Sequence, residues 1–437
     1  MAKLFALLIS LLAISQTQSN PNYCYSSDSV RPQLAMFSTK TSYQSVSGSS
    51  VDPSVSNCTP KKFWMLQRHG TRLPNANQIS KFPNIPSVQE KAINNHDNKG
   101  KGTLCAEDLE LIRNWKIDTN LTESIAEYLT LAGWMEVENI ARRYQSAFPT
   151  LLPPTYSPSQ YLFQHTDAQR TQGSFRAFAD GLFGYNGYKA VVPEPIPDRD
   201  LLLRPYDFCA EWLANSAEEK EMSKFEKGDE YDDVIDNVNE KLGGTSASKS
   251  NVRSMWQLCR FEQAADLSRS APWCSVFSYD DVAVMEYGED LGYYYEAGYG
   301  FSMNKNILCE TVQNMLLFLQ NDGGEAPARI LVTHSTVMQL MMVSLGLYED
   351  ETPLKSSNFA EQLNRKWRTS EQTAFASNLA VIRYDCADGD NEVLFLYNER
   401  PLEIPGCQSN GLCKVSYILE TYDRYLTADC PNIFCTA

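Results

Sequence analysis

Several features that would place this chain in a common class are missing. Basic residues are in deficit: 38 Lys and Arg face 54 Asp and Glu, a formal net charge of −16. No basic stripe offsets that balance. A nucleic-acid partner is therefore not expected, since such binding sets Lys and Arg against phosphates. After the N-terminal segment no apolar run reaches bilayer-spanning length, so no membrane anchor is expected. None of the 12 cysteines falls in a CxxC pair, which removes the usual spacing for a zinc site. There is no G-x-S-x-G elbow, so a serine hydrolase is a poor fit. Internal repeats and low-complexity tracts are also lacking. Histidine is scarce, with 4 residues: His69, His96, His165 and His334.

What is present at the N-terminus is a short basic lead, Met1–Lys3, then an apolar run from Leu4 to Ile14, then small and polar residues to Ser19. That order predicts a signal peptide over residues 1–19 and a secreted, soluble product. The C-terminal Cys430–Ala437 carries neither a retention signal nor the apolar tail of a lipid anchor. The cysteine content fits an oxidising compartment, and structural disulfides are the expected use. Nearby candidate pairs are Cys259 with Cys274, Cys407 with Cys413, and Cys430 with Cys435. Longer pairings such as Cys58 with Cys386 stay open. Asn57-Cys-Thr59 and Asn120-Leu-Thr122 are glycosylation sequons.

Along the chain, residues 20–60 read as an irregular lead-in and 75–120 as loop-rich, with His96 in a solvated polar loop. Phe63–Gln67, Tyr161–Gln164, Ala328–Thr333, Leu379–Tyr384 and Val393–Tyr397 read as strands. A long helix capped by Thr122 is expected to run to about Phe148, where Pro149 stops it. Further helices are expected over Ala168–Leu182, Leu308–Leu319 and Thr336–Leu347. Strand–helix alternation predicts an α/β core sheet flanked by helices. Residues 191–304, which open on the boundary prolines Pro193, Pro195 and Pro197 and are mostly helical in pattern over 200–300, read as an insertion into a core made of 20–190 and 305–437. The charge run at 218–241 reads as a solvated helix face.

The residues with chemistry sit at the ends of three of these strands. Arg68 and Arg72 bracket His69 and Gly70 just past the first. An imidazole between two guanidiniums stays neutral, leaving a ring nitrogen free to attack, and the guanidiniums are forked donors for phosphate oxygens. Arg170 follows the second strand and His334 the third. In open α/β sheets ligands bind at such carboxyl ends. Ser335 is placed to cap the helix that follows. A globally acidic protein repels polyanions, so a phosphate site here has to be a local basic pocket.

Arg68-His-Gly-Thr-Arg72-x-Pro74 resembles the signature of histidine phosphatases of the acid phosphatase and phytase branch. Leu129-Thr-Leu-Ala-Gly133, Ser270-Ala-Pro-Trp-Cys274, Gly298-Tyr-Gly300, Phe375-Ala-Ser-Asn-Leu379 and Asn398-Glu399 resemble segments of its multiple inositol polyphosphate phosphatase group. The likeness runs from about residue 58 to 420. It implies an α/β phosphatase fold and a phosphomonoesterase acting on small phosphorylated substrates, inositol polyphosphates among them, with no metal or cofactor. It further implies that His69 is the nucleophile, that Arg68, Arg72 and Arg170 hold the phosphoryl oxygens, and that His334 shares the developing charge.

The chain departs from that pattern at one decisive place. Where the family carries His-Asp or His-Ala-Glu, with a carboxylic acid to protonate the leaving group, this chain has His334-Ser335-Thr336. Loss of a general acid costs ~10²–10⁴-fold. Asp167, shortly before Arg170, is the candidate replacement; a helix-terminal carboxylate is its plainer reading. The alternative to an active phosphatase is a catalytically impaired relative that binds phosphate ligands or a protein partner. Asn77 also stands where the family often has lysine.

Overall fold

A computed structural model describes residues 23–48, 50–215, 217–321 and 323–436. The expected signal peptide lies outside the described residues. The chain forms two compact units. One comprises residues 23–37, Leu73–Glu127 and Ser223–Glu289; the other comprises Ser38–Arg72, Tyr128–Met222 and the chain from Asp290 onward. These bounds differ from the single insertion read over 191–304: residues 191–222 belong with the sheet, and 73–127 join 223–289.

Strands are β1 Cys58–Arg68, β2 Tyr161–His165, β3 Ala328–Thr333, β4 Asn378–Cys386, β5 Glu392–Tyr397, β6 Arg400–Pro401 and β7 Leu412–Lys414. The longer helices are α1 Ile85–Lys99, α2 Leu131–Ala147, α3 Gln169–Phe183, α4 Asp229–Lys241, α5 Lys249–Ala265, α6 Tyr279–Ala297, α7 Cys309–Gln320 and α8 Ser335–Ser344.

The sheet unit is a mixed sheet in the order β2-β3-β1-β4-β5-β6, with β7 on β5. β1 is parallel to β3 and antiparallel to β4. Phe63, Trp64, Met65 and Leu66 are all fully buried because both faces of the sheet are covered. Side chains alternate along a strand. Phe63 and Met65 therefore enter a core with Val137, Ile140 and Phe178 of α2 and α3. Trp64 and Leu66 enter the opposite core with Met315 of α7 and Met338 of α8. A helical layer thus lies on each face, as the α/β reading expects.

Two local expectations are corrected. The long helix starts at Leu131, not after Thr122. Glu127 takes a left-handed φ of 63°, which interrupts any helix there, and the cap is Thr130, whose Oγ1 accepts from the Gly133 N–H at 3.0 Å. The stretch 75–120 is not mainly loop, since it contains α1 and a helix at Ala106–Asn114. His96 therefore sits on α1, with Nε2 2.9 Å from the Lys241 carbonyl. On α4 the buried residues are Tyr231, Val234 and Val238, one face at helical spacing, leaving the charged face to solvent.

All 12 cysteines pair. Cys58–Cys386, Cys259–Cys274 and Cys407–Cys413 form. The expected pairing of Cys430 with Cys435 does not: Cys430 pairs with Cys309 and Cys435 with Cys209. Cys24 pairs with Cys105. Proximity in sequence misled because Cys430 opens a short helix, Cys430–Ile433, that packs on α7.

Candidate active site

Strand register brings the chemistry together. In the parallel β1–β3 pair Arg68 lies beside Thr333, so the next residues, His69 and His334, are neighbours. Their ring centroids are 5.7 Å apart, edge to face. β2 pairs with β3 through His165 and Val332, which places Thr166 and the start of α3 at the same sheet edge. Arg170 then stands with a guanidinium nitrogen 3.4 Å from His334 Nδ1.

Hydrogen bonds set the tautomers. His69 Nδ1 is 2.9 Å from the Gly70 carbonyl. A carbonyl only accepts, so Nδ1 carries the proton and Nε2 keeps its lone pair. For His334, Nε2 lies 2.9 Å from Thr166 Oγ1. Thr166 donates its proton to Thr171 Oγ1, and Thr171 donates to backbone carbonyls. His334 Nε2–H is therefore the donor, and its Nδ1 lone pair faces Arg170.

Both imidazoles are buried, 3% and 6% exposed. Burial, followed by the charge of Arg68 and Arg170, holds the His69 pKa well below the usual histidine range. Burial, then Arg170 and Arg204, does the same for His334. Both rings are therefore held in the neutral form. Burial also pushes the Arg68 guanidinium down to about 9, with Arg72 adding repulsion. It is anchored by the carbonyls of Thr39 and Thr373 and lies 4.6 Å over the Phe375 ring. Arg68, Arg170 and Arg72 thus concentrate positive charge around His69 in a chain of net charge −16.

The remaining expectations fall less neatly. Arg72 is half-buried on the signature loop, and its backbone bridges to Leu129. Asp167 is exposed on the turn before α3, where its charge acts on His165. His165 is buried, bonded through Nδ1 to the Thr166 carbonyl, and stacked on Phe175 at 5.3 Å. The N-cap of α8 is His334 itself, and Ser335 is the first helical residue. Ser335 and Thr336 bring no carboxyl group to this helix start.

Sequence reasoning missed two participants. Glu136 of α2 is buried and accepts the Thr71 N–H at 3.0 Å and the Thr71 hydroxyl at 2.9 Å. Burial pushes its carboxyl up to about 7, against the pull of Thr71 and Arg68. The only signal was a glutamate three residues past Gly133. Arg204 is the other. The Leu203 carbonyl accepts from the Thr333 hydroxyl at 2.7 Å, which ties that segment to the end of β3. Arg204 pairs with Asp207 at 2.7 Å. No sequence spacing links it to His334.

The model of the histidine phosphatase superfamily (branch 2) matches residues 61–398. Multiple inositol polyphosphate phosphatase 1 of Drosophila melanogaster is 37% identical, covering 100% of this chain and 94% of its own length. The chain belongs to the histidine phosphatase superfamily, in its multiple inositol polyphosphate phosphatase group. The Homo sapiens protein of the same name is 26% identical over 84% of this chain and 82% of its own. Among solved structures, the phytase from D. castellii superposes with a TM-score of 0.72 at 18% identity, over 91% of this chain and 85% of its own. The Bifidobacterium longum multiple inositol polyphosphate phosphatase, in complex with inositol hexasulfate, gives 0.67 at 14% identity, over 91% and 98%. At such identities these two establish the shared fold.

Proposed function

We propose that this phosphomonoesterase hydrolyses inositol polyphosphates through a phosphohistidine on His69. His69 Nε2 attacks phosphorus, the P–O bond to the alkoxide breaks, and water then cleaves the P–N bond to release phosphate. Arg68, Arg72 and Arg170 hold the three phosphoryl oxygens. Phosphoryl transfer depends mainly on positioning and charge neutralisation, which this cradle supplies. A bound dianion reverses the local field at His334, favours its protonation and lets it share the developing charge. The observation that carries the reading is the unprotonated Nε2 of a buried, neutral His69 beside Arg170 and His334.

The alkoxide must take a proton, and residues 335 and 336 offer only hydroxyls. Asp167 is the proposed donor, and Asp207, paired with Arg204 next to β3, is the second candidate. If neither serves, the chain is the impaired relative and handles only good leaving groups. The 6 disulfides fit an oxidising compartment and support action in the secretory pathway or outside the cell; among the described residues no helix is long and apolar enough to cross a membrane.

The test compares an aryl phosphate with phytate. Equal turnover points to a replacement acid, and Asp167→Asn and Asp207→Asn then identify it by a selective loss on phytate. Turnover of the aryl ester alone means that the acid is gone. No hydrolysis of either substrate sinks the enzymatic reading.

A further inference from the structure

The Gly70–Thr71 peptide is held from both ends. Its carbonyl accepts the Nδ1–H of His69 at 2.9 Å, and its N–H donates to Glu136 Oε2 at 3.0 Å. The same unit thus connects a buried carboxylate to the attacking imidazole. Glu136 also takes the Thr71 hydroxyl at 2.9 Å. The Thr71 carbonyl receives the Thr130 N–H at 2.9 Å and the Thr130 hydroxyl at 2.8 Å. Every polar group of Thr71 is therefore gripped by α2 or its cap. Gly70 N–H is fixed separately by Ser174 Oγ at 3.0 Å.

We propose that Glu136 is a positioning residue for His69: its carboxylate fixes and polarises the Gly70–Thr71 peptide, whose carbonyl orients the imidazole for attack. A carboxylate that holds a histidine N–H sets its tautomer and raises ring basicity. Here the peptide stands between them. Hydrogen bonds in series polarise one another, so Glu136, once ionised as pH rises past about 7, makes the Gly70 oxygen a stronger acceptor. The ring is thereby locked with Nε2 outward, and its N–H is held more firmly as positive charge develops on phosphorylation. The hydroxyl contact of Thr71 is secondary in this scheme, because it lies off the path from Glu136 to His69.

The inference rests on the phosphohistidine reading, and two measurements separate the failure of one from the failure of the other. With an aryl phosphate above pH 7, where Glu136 is ionised, Glu136→Gln should lower kcat about 10-fold and Glu136→Ala toward 100-fold, the range seen when groups that orient a histidine ligand are removed. Inhibition by inorganic phosphate should change less than ~3-fold, because the arginine cradle is untouched. Thr71→Val, which keeps the backbone N–H and removes only the hydroxyl contact, should lower kcat clearly less than Glu136→Gln does. A folded Glu136→Gln protein with wild-type kcat overturns the proposal, and so does an equal loss in Thr71→Val. The second measurement needs no turnover. Nitrogen-15 NMR of the 4 histidines, with His69→Ala to assign the signal, reads the tautomer directly. His69 should be the Nδ1–H form in wild type and a mixture in Glu136→Ala, with Glu136→Gln between them. An unchanged His69 signal in both variants also overturns it. Absent turnover in wild type would remove the phosphohistidine reading while leaving the NMR result to decide the role of Glu136.

Discussion

Gly70 and Gly133 face each other across the junction of the signature loop and α2. A Cβ at residue 70 would stand 2.8 Å from Gly133 Cα and its carbonyl carbon, and closer still to the oxygen. Carbon atoms settle at about 3.5–4.0 Å, so the loop and the helix must part by about 1 Å. His69 and Arg68 ride on that loop. A misplacement of about 1 Å at a reacting group costs on the order of 10²-fold in rate. Gly70→Ala should therefore lower kcat/KM for an aryl phosphate by about two orders of magnitude, close to 3 kcal/mol of barrier. Gly133→Ala should do the same from the other side, since its Cβ would meet Thr71 N at 2.6 Å. Gly323→Ala is the control: nothing lies within 4 Å of its Cβ. Steady-state kinetics on variants with matched melting temperatures check the prediction. Either signature-side variant within threefold of wild type would refute the argument that this contact sets the geometry of the site.

Other outcomes follow from the same structure. The Glu136 carboxyl is raised from 4.5 to about 7, so the folded state holds a proton that the unfolded chain has lost between those values. That contribution to stability is fully present below pH 4.5 and is lost as pH rises through 7, on the order of 3 kcal/mol; Glu136→Gln should flatten this slope in denaturant titrations. Arg68→Lys should raise KM at least ~10-fold, because an ammonium cannot hold the Thr39 and Thr373 carbonyls and still present a planar fork to phosphate. Replacing Cys58 and Cys386 by serine opens a link between residues 328 apart and should cost ~2–5 kcal/mol by thermal unfolding. It should leave kcat at 25 °C unchanged, since Cys58 lies at the opposite end of β1 from His69, roughly 35 Å along the strand.

The sheet strands were legible because their apolar runs are short and bounded, and burial on both faces makes them near-continuous. Helix boundaries were less so. Residues 122–148 carry one helical pattern, yet the chain turns at Glu127 and the helix begins at Leu131. Periodicity reports which residues could share a face, not where tertiary contacts stop the helix. Disulfide partners were readable where chain proximity decided them and misread at Cys430 and Cys435, where helix docking did. The division into two units escaped the sequence because both are assembled from separated segments.

By itself the sequence determined the residue types of the proposed phosphate cradle, the strand ends that present them, and the lack of a carboxylic acid after His334. Those facts are local, and local order carries them. The tertiary structure decided the rest. The β1–β3 register set His69 beside His334, and the Gly70 carbonyl chose the tautomer that leaves Nε2 free. The fold also brought Glu136, 65 residues from Thr71, beneath the loop, and tied the segment bearing Arg204 to the end of β3. Such pairings rest on distances between segments remote in the chain, which no spacing rule encodes.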